Sequence, residues 1–165
     1  MKFSPNQLMF LIATIITLVD QITKLLVLKF LGYAQERVVI EGFFKFVHWG
    51  NTGAAWSMFR DNNEMLTIVS LIVLLFLFVL RHQFETGTRG GTVAMGLLFG
   101  GIIGNILDRC FRHHVVDFLY FYVYRRSGEA IGFPAFNVAD SAICIAVGML
   151  FILSWERDRE QKVAG

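Results

Sequence analysis

Four apolar stretches dominate the sequence and limit what the chain can fold into. They are Leu8–Leu28, Met65–Leu80, Thr92–Leu107 and Val138–Trp155. As a helix, the first stretch is about 30 Å long, which matches the thickness of a bilayer core. The second and third, at about 16 residues each, are at or just below the usual length of a span, and thinner membrane accommodates them. The pattern predicts an all-α integral membrane protein with four transmembrane helices.

The composition agrees with a membrane protein and excludes several other classes. Hydrophobic residues make up 55% of the 165 residues and charged residues 17%, which is too apolar for a soluble domain of this length. The net charge of +2 comes from scattered basic residues, so we expect no nucleic-acid partner. Two cysteines are too few for a disulfide-stapled scaffold or a four-cysteine zinc site. No H-E-x-x-H motif or nucleotide-binding loop occurs, and we expect no metal or other cofactor.

The N-terminal stretch has some features of a signal peptide, because Lys2 precedes an apolar run. No small-residue cleavage site follows at Val19-Asp20-Gln21, so we expect an uncleaved anchor. Four spans place both termini on one side of the membrane. Basic residues are divided almost evenly between the two sides, so the positive-inside rule does not decide the orientation. The basic run Arg157–Lys162 and the short 81–91 loop favour cytoplasmic termini only weakly.

The connections between the spans are unequal. Residues 81–91 form a short turn with Gly87, Gly90 and Gly91, whereas segments 33–63 and 109–136 are long and lie together on the other side. In the first long segment, Arg37–Ile40 and Phe44–Trp49 around Glu41-Gly42 predict a β-hairpin. The second is rich in aromatic residues, which is typical of the membrane–water interface. We therefore predict one membrane-embedded domain, residues 1–165, with a small hairpin-containing segment on the side opposite the termini, which is extracytoplasmic if the termini are cytoplasmic.

The third span carries Gly96, Gly100 and Gly104 at successive i+4 positions. Such a row of glycines makes a smooth helix face that a neighbouring helix can approach closely. The fourth span places Asp140, Cys144 and Gly148 on one face in a similar way. We predict that these faces are packing surfaces.

Ionisable residues within or beside spans are costly and usually have a partner or a function. Asp20 and Lys24 are four residues apart, so they share a helix face and can form an ion pair. Asp108, with Asn105, closes the third span, where its charge opposes the helix dipole and needs a compensating cation, for which Arg109 or Lys24 is available. For both groups a structural and a functional role remain open.

Two further acids flank the second long connection. Asp117 stands between valine and phenylalanine, and Asp140 follows Asn137 by three residues, close to a capping box at the start of the fourth span. Two carboxyls brought close together share one proton, so that one can act as a base on water and the other as an acid on a peptide carbonyl. The pair therefore indicates aspartic-peptidase chemistry.

Two other classes of protein compete with this hypothesis. A small transporter or assembly subunit would use its acids as proton relays and would spread them through the bilayer, whereas Asp20, Asp108, Asp117 and Asp140 fall near one membrane level. A lipid-modifying transferase would act at the same interface but would normally need a metal or nucleotide-diphosphate site with more acids. Insensitivity of the activity to EDTA would separate the two enzymes.

Five motifs in order carry a resemblance to a known family. They are Asp20-Gln21-Ile22-Thr23-Lys24, Asn51-Thr52-Gly53-Ala54-Ala55, Gly104-Asn105-Ile106-Leu107-Asp108-Arg109, Val115-Val116-Asp117-Phe118 and Phe136-Asn137-Val138-Ala139-Asp140. With them the chain resembles the prolipoprotein signal peptidases, or signal peptidase II, over essentially its whole length. The segment 124–132 is somewhat longer than the family pattern implies and looks like a surface excursion.

The resemblance implies an aspartic endopeptidase of the bacterial cytoplasmic membrane, with Asp117 and Asp140 as the catalytic dyad. It implies supporting or site-lining roles for nine further residues: Asp20, Lys24, Asn51, Gly53, Asn105, Asp108, Arg109, Asn137 and Ala139. The implied substrate is a diacylglyceryl-modified prolipoprotein in the membrane lipid, cleaved just before the lipidated cysteine, and the implied inhibitor is a globomycin-type cyclic peptide. Both termini are expected in the cytoplasm, the active site at the outer leaflet, and the protein as a monomer.

Overall fold

The computed structural model describes residues 3–53, 62–84 and 88–164. Four α-helices occur in these ranges: α1 (Pro5–Phe30), α2 (Asn63–Leu80), α3 (Arg89–Arg112) and α4 (Val138–Ala164). Each is long and apolar enough to cross a membrane, which confirms the four predicted helices. Each contains one of the predicted apolar stretches and continues into more polar residues at one or both ends.

Local signals explain where two of the helices begin. Ser4 precedes α1 and accepts a hydrogen bond from the Gln7 backbone, while the Gln7 side chain accepts one from the Ser4 backbone. This reciprocal capping box, with Pro5 at the first helical position, is a strong helix start. The hydroxyl of Thr88 caps α3 by accepting a hydrogen bond from the Gly91 backbone. Of the predicted 81–91 turn, Arg81–Gln83 form a 3₁₀ turn after α2, and Gly87 lies outside the described residues.

Helix α3 is the centre of the bundle and packs against the other three helices. About two-thirds of it (67%) is buried, against 17% or less of each of the others. A methyl group added at Gly96 or Gly100 would lie 2.9 Å or less from atoms of α1, and one added at Gly101 would lie 2.5 Å from the Ala139 carbonyl of α4. The predicted glycine packing face of α3 is therefore confirmed, and it allows α1 and α4 to approach α3 closely. The similar prediction for α4 was wrong at Cys144 and Gly148, which are exposed, and a methyl group added at Gly148 would meet nothing within 4 Å.

Four strands form a small antiparallel sheet in the order of the sequence: β1 (Glu36–Ile40), β2 (Phe44–Asn51), β3 (Val115–Tyr124) and β4 (Ala130–Gly132). The predicted β1–β2 hairpin is confirmed, with slightly longer strands. Sequence analysis described 109–136 only as a long, aromatic connection, whereas this segment supplies the last turn of α3, the longest strand and the short β4. Five of its aromatic residues belong to β3: Phe118, Tyr120, Phe121, Tyr122 and Tyr124.

The sheet places the acid of β3 beside the ends of two helices. After α3 ends at Arg112, His113 adopts a left-handed conformation (φ 61°), which turns the chain into β3. The backbone of Phe136 then bonds to that of Leu119 in β3, so the start of α4 lies beside the strand. Asp117 is consequently held between the ends of α3 and α4.

Candidate active site

Asp117 is buried near the start of β3, with 4% of its surface exposed. One carboxylate oxygen accepts a hydrogen bond from Asn51 Nδ2 at 2.9 Å, and the other accepts one from Asn137 Nδ2 at 2.9 Å. Asn51 is the last residue of β2, and Asn137 immediately precedes α4. Two strands and the start of a helix therefore meet at this carboxyl group.

Asp140 lies in the first turn of α4. Its Oδ2 accepts a hydrogen bond from the Asn137 backbone at 3.2 Å, and its own backbone N–H donates to Asn137 Oδ1 at 2.9 Å. This is the capping arrangement that its position in the sequence predicted. Its Oδ1 accepts a further hydrogen bond, from Asn105 Nδ2 of α3 at 2.8 Å. The carboxylate therefore caps α4 and also contacts α3.

Asn137 joins the two acids. Its side-chain nitrogen donates to Asp117 and its backbone nitrogen donates to Asp140, and the residue is completely buried. The two aspartates that sequence analysis placed on either side of a long connection are thus brought to one asparagine.

The environment of Asp117 favours its neutral form. Burial and the negative charge of nearby Asp140 raise the pKa of Asp117 from 3.8 to about 7, although hydrogen bonds from Asn51 and Asn137 oppose the shift. Near neutral pH, Asp117 can therefore hold a proton beside a second carboxyl group. A proton donor and a proton acceptor side by side can hydrolyse an amide bond.

A buried ion cluster lies next to the two acids. Lys24 Nζ contacts Asp20 at 2.8 Å and Asp108 at 2.9 Å, and all three side chains are fully buried. The predicted Asp20–Lys24 pair is confirmed. Lys24 also donates to Asn105 Oδ1 at 3.1 Å, and Asn105 in turn donates to Asp140. One hydrogen-bonded chain therefore connects the ion cluster to the acid of α4.

The cations that compensate Asp108 differ in part from those that the sequence indicated. Lys24 forms an ion pair with Asp108, as expected, and the second ion pair of this carboxylate is with Arg112, one helical turn further on. The Arg109 side chain donates to the Gly53 carbonyl at 3.2 Å, and its charge interacts electrostatically with Asp140, Asp117 and Asp108. Its charge therefore acts on the two candidate catalytic acids as well as on Asp108.

Two backbone groups complete the set of predicted site residues. The Gly53 N–H donates to Asn51 Oδ1 at 2.9 Å, and the Ala139 N–H donates to Asp20 Oδ1 at 3.0 Å. The first bond fixes the turn that follows β2, and the second ties the start of α4 to α1. The neighbouring motif residues Ala54 and Ala55 lie outside the described residues.

Sequence analysis missed the supporting roles of Gln21 and Arg112. Gln21 Nε2 donates to both Asp20 and Asp108, and its Oε1 accepts a hydrogen bond from Arg112 at 2.9 Å. Arg112 could have been found, since it lies four residues after Asp108 and so on the same helix face. Within the described ranges, no group of three or more histidine, cysteine or acidic side chains is placed to hold a metal ion.

Comparison with known proteins assigns the chain to a family. A family model described as signal peptidase (SPase) II matches residues 12–156. The chain belongs to the signal peptidase II family. Signal peptidase II enzymes are membrane aspartic peptidases, and a multi-pass bacterial membrane protein with four apolar helices fits this class.

Individual relatives agree with the assignment to signal peptidase II. Proteins named lipoprotein signal peptidase are similar to this chain in Anoxybacillus flavithermus (33% identical, covering 94% of this chain and 89% of the relative), in Syntrophotalea carbinolica (36%, covering 94% and 95%) and in Bacillus subtilis (34%, covering 88% and 91%). A bacterial membrane enzyme structure determined in meso at 2.3 Å resolution superimposes with a TM-score of 0.79 at 30% identity, covering 93% of this chain and 90% of that one.

Proposed function

We propose that the chain removes the signal peptide from diacylglyceryl-modified prolipoproteins by hydrolysing the peptide bond just before the lipidated cysteine, with Asp117 and Asp140 as the catalytic carboxyls. The observation that carries this assignment is the sharing of Asn137 by the two acids. A cap alone would need Asp140 but would not need a second buried carboxyl in β3. Family membership supports the same reaction class.

The mechanism begins with Asp117 protonated and Asp140 ionised. Asp140 accepts a proton from the attacking water as the water oxygen bonds to the scissile carbonyl carbon, while Asp117 donates its proton to the carbonyl oxygen. A tetrahedral diol results. When it collapses, the C–N bond breaks, Asp140 gives its proton to the leaving nitrogen, and Asp117 recovers a proton from a diol hydroxyl. Each proton is returned, so the pair is ready for another turnover.

Neighbouring residues would position the two carboxyls relative to each other and to the scissile peptide bond. Asn51, Asn105 and Asn137 present amide nitrogens to the carboxyls. We propose that Arg109, held on the Gly53 carbonyl, adds positive charge beside the site that stabilises the developing oxyanion. Asp20, Lys24, Asp108 and Ala139 would brace the helix ends that carry these groups.

The proposed location follows from the substrate. Lipid chains keep the modified cysteine in the outer leaflet, so the dyad must lie at that interface, where water can also reach it. This places the sheet outside, both termini in the cytoplasm, and the enzyme in the bacterial cytoplasmic membrane. The enzyme would act as a monomer, and a globomycin-type cyclic peptide that occupies the dyad would inhibit it.

The direct test is incubation of the purified enzyme in lipid with a prolipoprotein that either carries or lacks the diacylglyceryl group, followed by mass measurement of the products. We expect cleavage before the cysteine only in the modified precursor, without loss of activity in EDTA. Equal cleavage of both precursors would remove the lipid-anchoring argument.

The matched variants are Asp117→Asn and Asp140→Asn, which keep the size of each side chain. Each should abolish cleavage while the protein remains folded, and the double variant should be no worse, because residues that act as one unit are not additive. If Asp140 were only a cap, Asp140→Asn would be nearly silent, since asparagine caps about as well as aspartate. Substantial turnover by that variant would end the assignment.

A further inference from the structure

The two faces of the sheet differ in their chemistry. Side chains alternate along a strand, so Asp117, Leu119, Phe121 and Val123 of β3 point to one face, which we call the Asp117 face. Residues paired directly across the ladder share a face. The paired residues that join the Asp117 face are Phe44 opposite Phe121, Phe46 opposite Leu119, and Ile131 opposite Val123.

Aromatic rings cover the part of the Asp117 face that is distant from the acids. The Phe121 ring contacts those of Phe43, Phe44 and Phe136 at centroid distances of 5.4, 4.9 and 6.0 Å, and Phe133 contacts Phe136 at 6.0 Å. We call these five residues the phenylalanine patch. Phe133 is 63% exposed and Phe43 52% exposed. Three of them, Phe43, Phe121 and Phe133, line an open pocket of about 320 Å³ together with neighbouring residues of β3 and β4.

In the outer part of the sheet, the opposite face carries polar groups. Lys45 forms an ion pair with Glu36, and its ammonium lies 5.1 Å and 4.9 Å from the ring centroids of Tyr120 and Tyr122. The hydroxyl of Tyr124 donates to Glu41 at 2.6 Å. The sheet is therefore amphipathic, with charged and hydroxyl groups on one side and exposed phenylalanines on the other.

The Asp117 face is directed towards the helix ends. At its inner end, Asp117 binds Asn137 at the start of α4. Phe121 lies four residues further along the same strand, about 13 Å away at the usual rise. There Phe43, Phe121 and Phe133 are exposed, and Phe44 and Phe136 are half-buried. Because the four helices are long and apolar enough to cross a bilayer, the membrane surface lies near this end of the bundle, and the patch contacts the start of α4 there through the rings of Phe121 and Phe136.

We propose that the phenylalanine patch is a lipid-contact surface that seats the outer part of the sheet in the interfacial region of the bilayer. Exposed apolar patches mark interaction surfaces, and aromatic rings are favoured at the membrane–water interface. Arg37, paired with Phe46 and exposed, adds a cation to the same face, where it can meet lipid phosphates. Since Asp117 belongs to this face, the patch also sets the depth of the acid relative to the lipid.

The test compares nitroxide labels on the two faces in the full-length protein. Cys110 and Cys144 are both exposed, so the background carries Cys110→Ser and Cys144→Ser. Phe133→Cys places the label on the patch, and Val38→Cys is the matched control, because Val38 is 48% exposed and pairs with Lys45 on the polar face. The labelled protein is reconstituted in vesicles of phosphatidylcholine and phosphatidylglycerol. Collision rates are measured with oxygen, which partitions into lipid, and with a water-soluble nickel complex.

We expect the oxygen-to-nickel collision ratio to be several-fold higher at position 133 than at position 38. Phe43→Cys should repeat the result at a second position of the patch, so poor folding of one variant leaves the test intact. Equal oxygen-to-nickel ratios at positions 133 and 38, with high nickel collision at 133, would overturn the proposal, because the patch would then face water and be free to bind a peptide. Low collision with both reagents at 133 would also overturn it, because protein would then cover the patch. No substrate is present, so failure here is distinct from failure of the proposed cleavage.

Discussion

Three asparagine amides around the two acids are oriented by what their oxygen atoms accept. The oxygens of Asn51, Asn137 and Asn105 accept hydrogen bonds from the Gly53 backbone, the Asp140 backbone and the Lys24 ammonium, respectively. Backbone N–H and ammonium groups only donate. Each amide must therefore turn its nitrogen towards a carboxylate. Lys24 is the one side chain among these three donors, so its effect on the site can be tested by substitution.

If Lys24 acts through Asn105, the two residues should be coupled in a double-mutant cycle. We expect Lys24→Met to lower kcat by about tenfold or more, as loss of outer-shell hydrogen bonds does in other sites, with a smaller change in KM. In an Asn105→Ala background the same substitution should cost kcat little, because the amide it orients is absent. Steady-state kinetics of the four proteins in lipid would measure this, and additive losses would contradict the positioning role.

Arg112→Gln is the matched control for this cycle. It also removes a cation from Asp108, but Arg112 contacts Gln21 and Asp108, whereas Lys24 also contacts Asn105. Arg112→Gln should lower the melting temperature, since a buried carboxylate loses a partner, and should leave kcat per folded enzyme closer to that of the wild type than Lys24→Met does.

The raised pKa of Asp117 predicts a pH dependence of stability. Its pKa is about 7 in the folded protein, against 3.8 as the reference value, so the folded state holds the proton more tightly and Asp117 destabilises the protein as pH rises from about 4 to about 7. Asp117→Asn removes this titration. We therefore expect the melting temperature of the variant, relative to the wild type, to rise between pH 5 and pH 8. If the melting temperatures of the variant and the wild type changed equally with pH over this range, the raised pKa of Asp117 would be contradicted.

At the residue scale, much of the candidate site could be predicted from sequence because costly groups in apolar surroundings are conspicuous. Asp20 and Lys24 share a helix face, and the structure pairs them. The spacing of Arg112, four residues after Asp108, was a usable signal that sequence analysis overlooked. The position of the Arg109 side chain could not be predicted, because it depends on the turn at Gly53, whose carbonyl accepts its hydrogen bond. Such long-range contacts leave no local pattern.

At the scale of elements, two glycines in the helices offer a matched comparison. Alanine is a better helix former than glycine by about 1 kcal/mol at either position. A methyl group at Gly101 would lie 2.5 Å from the Ala139 carbonyl, whereas one at Gly148 would meet nothing within 4 Å. We expect Gly101→Ala to lower both the melting temperature and the activity, because it pushes α4 and its Asp140 away from α3. Gly148→Ala should leave both near wild-type values. Equal melting temperatures for the two variants would show that α3 and α4 are not closely packed.

The helices and the first hairpin could be predicted because each has a local signal: a long apolar run, or two β-prone runs around a glycine turn. Strand β3 is also rich in β-prone valine and aromatic residues, but it lacks the alternation of a half-buried strand. Its first four residues are all buried, on both faces, so the apolar–polar alternation of a half-buried strand is missing. Strand β4 has three residues and forms only because β3 supplies its partner. The full sheet therefore depends on pairing between segments far apart in the sequence.

At the scale of the whole molecule, the arrangement concentrates polar groups at one end of the bundle. The buried ions of α1 and α3, the start of α4 and the sheet all meet there. Helix α4 leads from this end to its charged C-terminal turns at the other. A lipid-anchored peptide could therefore reach the acids without entering the bilayer centre, where water is scarce. The side of the membrane on which the polar end of the bundle lies therefore decides which peptides can reach the acids.

Orientation can be tested with two exposed positions at opposite ends. Ser127 lies between β3 and β4, and Gln161 lies near the end of α4, about 35 Å along the helix from its start. In the Cys110→Ser and Cys144→Ser background, we expect Ser127→Cys to react with a membrane-impermeant maleimide in cells whose outer surface is accessible. Gln161→Cys should react only after the membrane is permeabilised, because cleavage of an exported precursor requires the sheet to be outside. Labelling of Gln161→Cys in sealed cells would reverse the orientation and place the acids on the side that exported precursors have already left.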